Sequence, residues 1–554
     1  MNNSSNTDPR KLKLGLLLDS FFVPAWFDHA CERIKNSGYA EFSLIVLSKS
    51  TEQGKQGQLD LNDNRSVLTK LYSFVDERIF VRGNSAIALA DIRKLLNPVD
   101  VIEAKPIITG DRCFFEPTDI EKIHEFGLDI LVKFGFGNLH GEITAAAKYG
   151  IWEYFCETYP HGFWEVMQEL TKTKMGLRIL GGGNDTDRIL FSSSSWTYPF
   201  SPARNENRSL WKSSSFLPRQ INLLYMLGKD KYFDITKEYN CSNYLPVQKG
   251  SAVNHSRSMQ LGFVTKLLLR NIGEMVSRKI NQDAWFLMFN LDKGDTTPFR
   301  DYRRILPPKG RFYADPHIIQ KDNQYYIFIE DFDYRKGKGH ISCLSIDPSG
   351  NYTPPVPVLE EKYHLSYPCV FEWKDRFYMV PESSANRTID LYECIEFPCK
   401  WLHKLTLMEN INAVDSTLFF HNGKWWLFTG VSENEGSSPE VELFIFYSDD
   451  LFSNKWKTHA LNPLKSDAKD ARPAGKIFHK NGKIIRPSQD CSKFYGYGFD
   501  LNEIVVLTEN EYKERNVASV RPDWDKKILA THTYGAEGNL KIIDAYSIRN
   551  RFLR

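Results

Sequence analysis

The residues best suited to chemistry lie in the C-terminal half, at repeated distances from polar two-residue turns. In ADPHIIQKDNQYYIFIE, Asp315 lies eight residues before Asn323 and Glu330 seven after it. YPCVFEWKDRFYMVPE places Tyr367 and Glu382 in the same way around Asp375, and VDSTLFFHNGKWWLFTG places Asp415 and Gly430 around Gly423. In RPAGKIFHKNGKIIRPSQ, Ala474 and Gln489 flank Gly482, with Arg472 two residues back on the same face. HTYGAEGNLKIIDA adds His532 ahead of Gly538. Strands joined by a tight turn pair antiparallel, so each flanking pair sits at one end of its hairpin. Carboxylates brought together can act as acid and base or orient sugar hydroxyls. Arginine cannot act as an acid near neutral pH, but it can bind an anionic group. The candidate catalytic residues are therefore Asp315, Asp415 and Glu382. The candidate substrate-binding residues are Glu330, Arg472, Arg486, Gln489, Tyr495 and His532.

The elements that must position these groups repeat. Successive lead residues are 52, 48, 57 and 60 positions apart. A third strand is expected after each hairpin: HISCLSI, TIDLYECI, VELFIFYS, YGYGFDL and AYSIRN. Repeats of this period with several strands each predict a five-bladed β-propeller over 283–554, with AWFLMFN supplying an outer strand that closes the ring.

The N-terminal half alternates strand and helix patterns. Leu12–Asp19, Phe42–Ser48, VDVIEAKPI and Leu128–Phe136 read as buried strands. WFDHACERIKNSG, a segment opened by a Thr118/Glu121 capping box, and HGEITAAAKYG read as helices. The expectation is a doubly wound α/β sheet over 11–215, after a disordered tail at 1–10. Gly181–Gly183 read as a tight hairpin turn, since the Lys-Ser/Thr of a phosphate loop is missing. Residues 216–282 form a connector. Its Leu261, Val264, Leu268, Ile272 and Met275 recur at helical spacing beside Lys266, Arg270, Arg278 and Lys279. Packing at the domain junction is expected of this helix, while its basic amphipathic character leaves peripheral membrane contact open.

Composition narrows the function classes. A formal net charge of +2 gives no field that would gather nucleic acid, and 14% aromatic residues suit strands and sugar faces. Nine cysteines at scattered spacing contain no CxxC pair, so no metal site is expected, and no motif names a cofactor. Neither a signal peptide nor a transmembrane segment is read from the sequence, and the expected location is the cytoplasm.

Three resemblances add to this reading. ILVKFGFGNLHGEITAAAKYGIWEYFCETYP resembles the formyltransferase catalytic domain. On that pattern the active-site Asn falls on Glu153, the His on Phe155 and the downstream Asp on Asp185, which implies a degenerate site. His161 reads as a loop residue. The ADP at Asp315 and VDSTLF at Asp415 resemble the base and the acid-tuning Asp of furanosidase-type propellers, the arabinanases and xylosidases of glycoside hydrolase family 43. Their general-acid Glu is replaced by Arg472. The longer run, with YPCVFEWKDRFYMVPESSANRTIDLYEC and RPSQDCSKFYGYG, resembles bacterial proteins whose propeller is similar to the N-terminal domain of plant glucosamine inositolphosphorylceramide transferase. This resemblance implies a carbohydrate-active protein of cell-surface glycan or glycolipid synthesis, taking a sugar, sugar phosphate or glycolipid. The alternatives are a non-catalytic glycan-binding or assembly module and, against the degenerate motif, a formyl or acyl transferase acting on an amino sugar.

Overall fold

The computed structural model describes residues 10–49, 67–81, 83–157, 162–181, 187–237, 239, 257–292, 297–434 and 436–552. The chain divides into two compact units: Met1–Leu268 with Asn434–Ser437, and Leu269–Glu433 with Ser438–Arg554.

The first unit is built on a seven-stranded sheet. From one edge its strands are Asp100–Ala104, Ala40–Ser48, Leu12–Leu18, Ile130–Phe134, Ile151–Cys156, Lys172–Ile179 and Arg188–Trp196. The first five run parallel, Lys172–Ile179 opposes them, and Arg188–Trp196, antiparallel to that strand, runs with the first five. Apolar residues cover both faces, as a parallel sheet requires. Leu14, Leu16 and Leu18 pack with Trp26, Phe27 and Phe216 on one side. Leu17, Leu44 and Val46 pack with Ile120 and Ile123 on the other. Two local expectations fail. The helix Pro117–Glu125 starts with proline in its first turn and Glu116 as cap, with no side-chain cap, so Thr118 and Glu121 form no capping box. HGEITAAAKYG yields only one 3-10 turn, Glu142–Ala145, entered through Gly141 at φ 83°.

In the second unit, five four-stranded antiparallel sheets follow one another. Four are consecutive meanders, beginning at Arg311–Lys321, Ser366–Trp373, Ala413–His421 and Phe478–Lys480. The fifth joins the two ends of the unit, in the order Arg303–Ile305, Asn281–Asn290, Leu540–Asn550, Tyr534–Glu537. Asn281–Asn290 is thus an inner neighbour of the outermost strand rather than the outer strand itself. AYSIRN is no third strand but continues Leu540–Asn550 along the same partner. First strands of successive sheets are neighbours: Arg311–Lys321 lies beside both Ser366–Trp373 and Tyr534–Glu537, and Ser366–Trp373 beside Ala413–His421.

The hairpin turns carry left-handed backbone where the strands reverse: Asp322 and Asn323, Lys374 and Asp375, Asn422 and Gly423, Asn481 and Gly482, and Gly538. Paired left-handed residues twist a two-residue turn to match the strands it joins. A second set of left-handed residues is not at turns. Asp315 (φ 52°), Tyr367 (φ 42°) and Asp415 (φ 51°) each sit in a bulge near the start of a sheet's first strand. Non-glycine residues held this way are strained and persist only where their surroundings fix them.

Candidate functional site

Each bulge exposes a backbone N–H that no sheet partner takes, and a carboxylate from a neighbouring sheet accepts it. Asp544 Oδ2 accepts from Asp315 N at 3.2 Å. Asp315 Oδ2 accepts from Tyr367 N at 3.2 Å. Glu382 Oε2 accepts from Asp415 N at 3.3 Å. The carboxylates therefore link one sheet to the next and restrain the strained backbone.

Around this chain of contacts the charged groups gather. Arg472 donates from Nε to Asp415 Oδ2 at 2.5 Å and from its terminal nitrogen to Oδ1 at 3.2 Å. Glu382 lies 3.7 Å from the same guanidinium. Gln489 Nε2 donates to Asp415 Oδ2 at 2.8 Å and to the Pro473 carbonyl at 3.0 Å. The Tyr495 ring lies 4.9 Å from the Arg472 guanidinium and 5.5 Å from the His532 ring. His532 stands between two carboxylates, Asp544 Oδ2 at 2.7 Å and Asp315 Oδ1 at 3.4 Å. Thr533 Oγ1 donates to Asp315 Oδ1 at 2.9 Å. Glu330 faces His364 Nε2 at 3.4 Å.

All of these acids are buried, and burial is the largest influence on Asp315, Glu330 and Asp415. It pushes Asp315 up to about 6, with Asp415 and Asp544 adding repulsion against the help of His532. The pKa of Glu330 is raised well above its ordinary value by burial and by the nearby charges of Asp315, Glu382 and Asp415. Asp415 is also raised, burial and Glu382 opposing the guanidinium, while Arg472 stays charged against its own burial because Asp415 and Glu382 face it. Burial works against the charge of His532, but Asp544 and Asp315 outweigh it and raise its pKa. Asp315, His532 and Asp544 place ligand atoms within 4.8 Å of one another, a spacing that a cation could bridge.

The structure thus brings Asp315, Glu330, Glu382, Asp415, Arg472, Gln489, Tyr495 and His532 into one connected neighbourhood. It removes Arg486 from it. That guanidinium is fully buried in a bidentate pair with Glu514, at 2.8 and 2.7 Å, and it also donates to the Asp470 carbonyl. The cause is strand parity: Arg486 and Gln489 lie three positions apart on one strand and so point to opposite faces. Asp544 was not singled out from the sequence, because it sits in the apolar run KIIDAYS. A lone acid on the core face of a strand was the available signal.

In the first unit, Glu153 and Phe155 share one face of Ile151–Cys156. Glu153 is bound by Lys133 and by Arg178, whose Nε and terminal nitrogen reach Oε2 at 2.9 and 2.6 Å. Arg178 also holds Asp187 at 2.9 Å. Burial opposes the Glu153 charge, but the two cations prevail and hold its pKa below the ordinary value. Phe155 is buried against Gly176. Asp185 and His161 lie outside the described residues, as do Gly182 and Gly183.

Residues 307–533 match the family model described as glucosamine inositolphosphorylceramide transferase 1, N-terminal. That span holds every residue of the cluster named above except Asp544. Glucosamine inositolphosphorylceramide transferase 1 of Oryza sativa subsp. japonica is 34% identical over 208 residues, which is 37% of this chain and 28% of that protein. The protein of the same name from Arabidopsis thaliana is 33% identical over 212 residues, 38% of this chain and 27% of its own. The chain therefore aligns with little more than a quarter of the length of these relatives. Among solved structures, a family 117 glycoside hydrolase from Zobellia galactanivorans covers 49% of this chain and 92% of its own at 11% identity, with a TM-score of 0.32. The C-terminal unit of this chain is similar in sequence to the N-terminal region of the plant transferases.

Proposed function

We propose that the five sheets are the blades of a five-bladed propeller, and that the cluster at its axis binds a sugar in glycan or glycolipid assembly. The observation that carries this reading is an excess of buried acid. Asp315, Glu330, Glu382, Asp415 and Asp544 surround one guanidinium and the imidazoles of His532 and His364. Such an arrangement costs folding energy unless protons or a ligand's donors relieve it. Sugar hydroxyls supply several donors at once, and a hydroxyl donating to a carboxylate makes a short, charge-assisted bond. The similarity to proteins named for a sugar transfer onto a lipid supports the same class of ligand.

Roles divide by environment. Glu330, whose pKa is raised by burial among other acids, is the candidate proton donor. Asp315, raised only to about 6, is largely ionised above pH 7 and is the candidate base or hydroxyl acceptor. Asp415 is committed to Arg472 and Gln489, so it positions the guanidinium rather than meeting substrate directly. A non-catalytic binding module is the second reading, favoured by the carboxylates that already accept from bulge N–H groups. Formyl transfer is disfavoured in the first unit, since Glu153 is saturated by two cations and Phe155 offers no base.

The test is calorimetric titration of the full chain with nucleotide sugars, sugar phosphates and free sugars, alongside Asp315→Asn and Glu330→Gln. Binding that weakens in both variants, with release of a nucleotide or transfer product lost, supports a catalytic site. Binding without turnover selects the module. Affinity unchanged in both variants sinks the sugar-site reading.

A further inference from the structure

The helix Arg257–Ile280 does not pack as its apolar stripe predicts. Its first half packs within the first unit, through Phe263, Val264 and Leu267 on Phe163 and Val166. Phe163 and Phe263 stack edge to face at 4.9 Å. Of the expected stripe only Val264 takes part. Leu261 and Leu268 are exposed, and Ile272 and Met275 are 56% and 64% exposed. Leu269 and Val276 are exposed as well. At 100° per residue these six side chains fall in one arc of about 120°, bordered on one side by the buried Val264.

A second helix shows the same anomaly. In Val67–Phe80, Thr69 and Asp76 face inward, and Asp76 accepts from Ala203 N at 2.9 Å. Val67, Leu68, Leu71, Phe74, Val75 and Ile79 face outward. Tyr72 of this helix packs against the Phe263, Val264 and Leu267 cluster, so the two helices are neighbours. Twelve large apolar side chains exposed on two adjacent helices exceed the scatter normal for a protein surface.

We infer that these two helices dock the protein on a lipid surface that carries anionic headgroups. Charge selects this occupant. Arg257–Ile280 holds five basic residues, Arg257, Lys266, Arg270, Arg278 and Lys279, against the single acid Glu274. Lys266 pairs with Glu169 at 2.6 Å and Arg278 with Glu274 at 2.7 Å, and Lys279 is exposed on the apolar arc itself. A second copy of this chain would bring two basic helices face to face and repel. An anionic membrane would attract the same charge while taking the leucines into its interface. The helix lies on such a surface and does not cross it: no helix among the described residues is long and apolar enough to span.

The test is co-sedimentation of the full chain with phosphatidylcholine vesicles, with and without phosphatidylserine. The expected result is binding to phosphatidylserine-containing vesicles that weakens with added salt. Lys279→Ala should cost about fivefold in affinity, from about 1 kcal/mol per basic residue near the surface. Leu268→Glu with Ile272→Glu should abolish binding while the melting temperature changes little, since both side chains are already about half exposed. Failure to bind either vesicle overturns the proposal. So does binding that survives the double variant, or a wild-type dimer in light scattering that the double variant dissolves. None of these readouts depends on sugar binding.

Discussion

Glu153 in the first unit and Asp415 in the second are both carboxylates taken out of water and gripped by a guanidinium, yet their surroundings drive them in opposite directions. Around Glu153, Lys133 and Arg178 face Glu153 and Asp187, so charge balances within the cluster. Its pKa falls. Around Asp415, one guanidinium serves Asp415 and Glu382 while further acids crowd behind, and pKa values rise. The first cluster is complete without a ligand. The second is complete only with protons or with donors brought from outside. On the proposed reading the balanced cluster is structural and the unbalanced one takes a ligand, and the contrast can be tested by mutation.

The largest effect should come from Asp415→Ala. It leaves Arg472 buried with only Glu382 at 3.7 Å, and breaking one side of a buried pair costs roughly 3–5 kcal/mol. The denaturant midpoint of the second unit checks this, and a loss below about 1 kcal/mol would mean that the pair is open to solvent. Glu153→Ala should cost less, roughly 1–3 kcal/mol, because Arg178 keeps Asp187. Equal losses at both positions would erase the distinction between the two clusters.

Acidity separates them next. Asp315 has a folded pKa of about 6, raised from an ordinary 3.8. Its folded state binds the proton more tightly, so its contribution is full below about pH 4 and is lost as pH rises through 6. Glu153 has the opposite sign: its lowered pKa contributes stability above its ordinary value that is lost as pH falls. Between pH 5 and 8 the contribution of Asp315 should therefore fall by about 1.4 kcal/mol, while that of Glu153 stays level, a difference read by comparing Asp315→Asn and Glu153→Gln with the parent at both pH values. Calorimetric melting at the two pH values measures this. An Asp315 contribution larger at pH 8 would show that the acids are already compensated.

Much of the second unit was legible because its turns are local. Asn-Gly at 422–423 and 481–482 and Asp-Asn at 322–323 tolerate left-handed backbone, and strand pairing then fixes depth by counting. That counting led to Asp315, Glu382 and Asp415. What it missed is non-local. Asp544 acts through the backbone of Asp315, 229 residues away in sequence. The bulges at Asp315, Tyr367 and Asp415 shift the register beyond any uniform spacing. Arg486 was misplaced although parity alone puts it on the face opposite Gln489. The apolar stripe of Arg257–Ile280 was readable as a helix, but which arc is buried depends on Phe163 and Val166, nearly a hundred residues earlier.

The smallest structural effect, and the most informative one, should come from Asp315→Asn. The carboxylate has two structural partners: Oδ2 accepts from Tyr367 N and Oδ1 from Thr533 Oγ1. An asparagine can keep both by turning its oxygen to the amide and its NH2 to the threonine hydroxyl, which can accept as well as donate. The substitution also removes one charge from a crowded set of acids. Stability at pH 7 should therefore change by less than about 1 kcal/mol, whereas Asp315→Ala, which orphans the Tyr367 N–H, should cost roughly 1–3 kcal/mol. His532 loses one of the carboxylates that hold its pKa up, so its imidazole should titrate at lower pH, a shift that NMR detects directly. Sugar affinity should fall by at least tenfold, the loss of a charge-assisted hydrogen bond worth roughly 1.5–3 kcal/mol. An Asn variant that loses stability like the Ala variant, yet binds sugar as tightly as the parent, would leave Asp315 as a fastener for the bulge and nothing more.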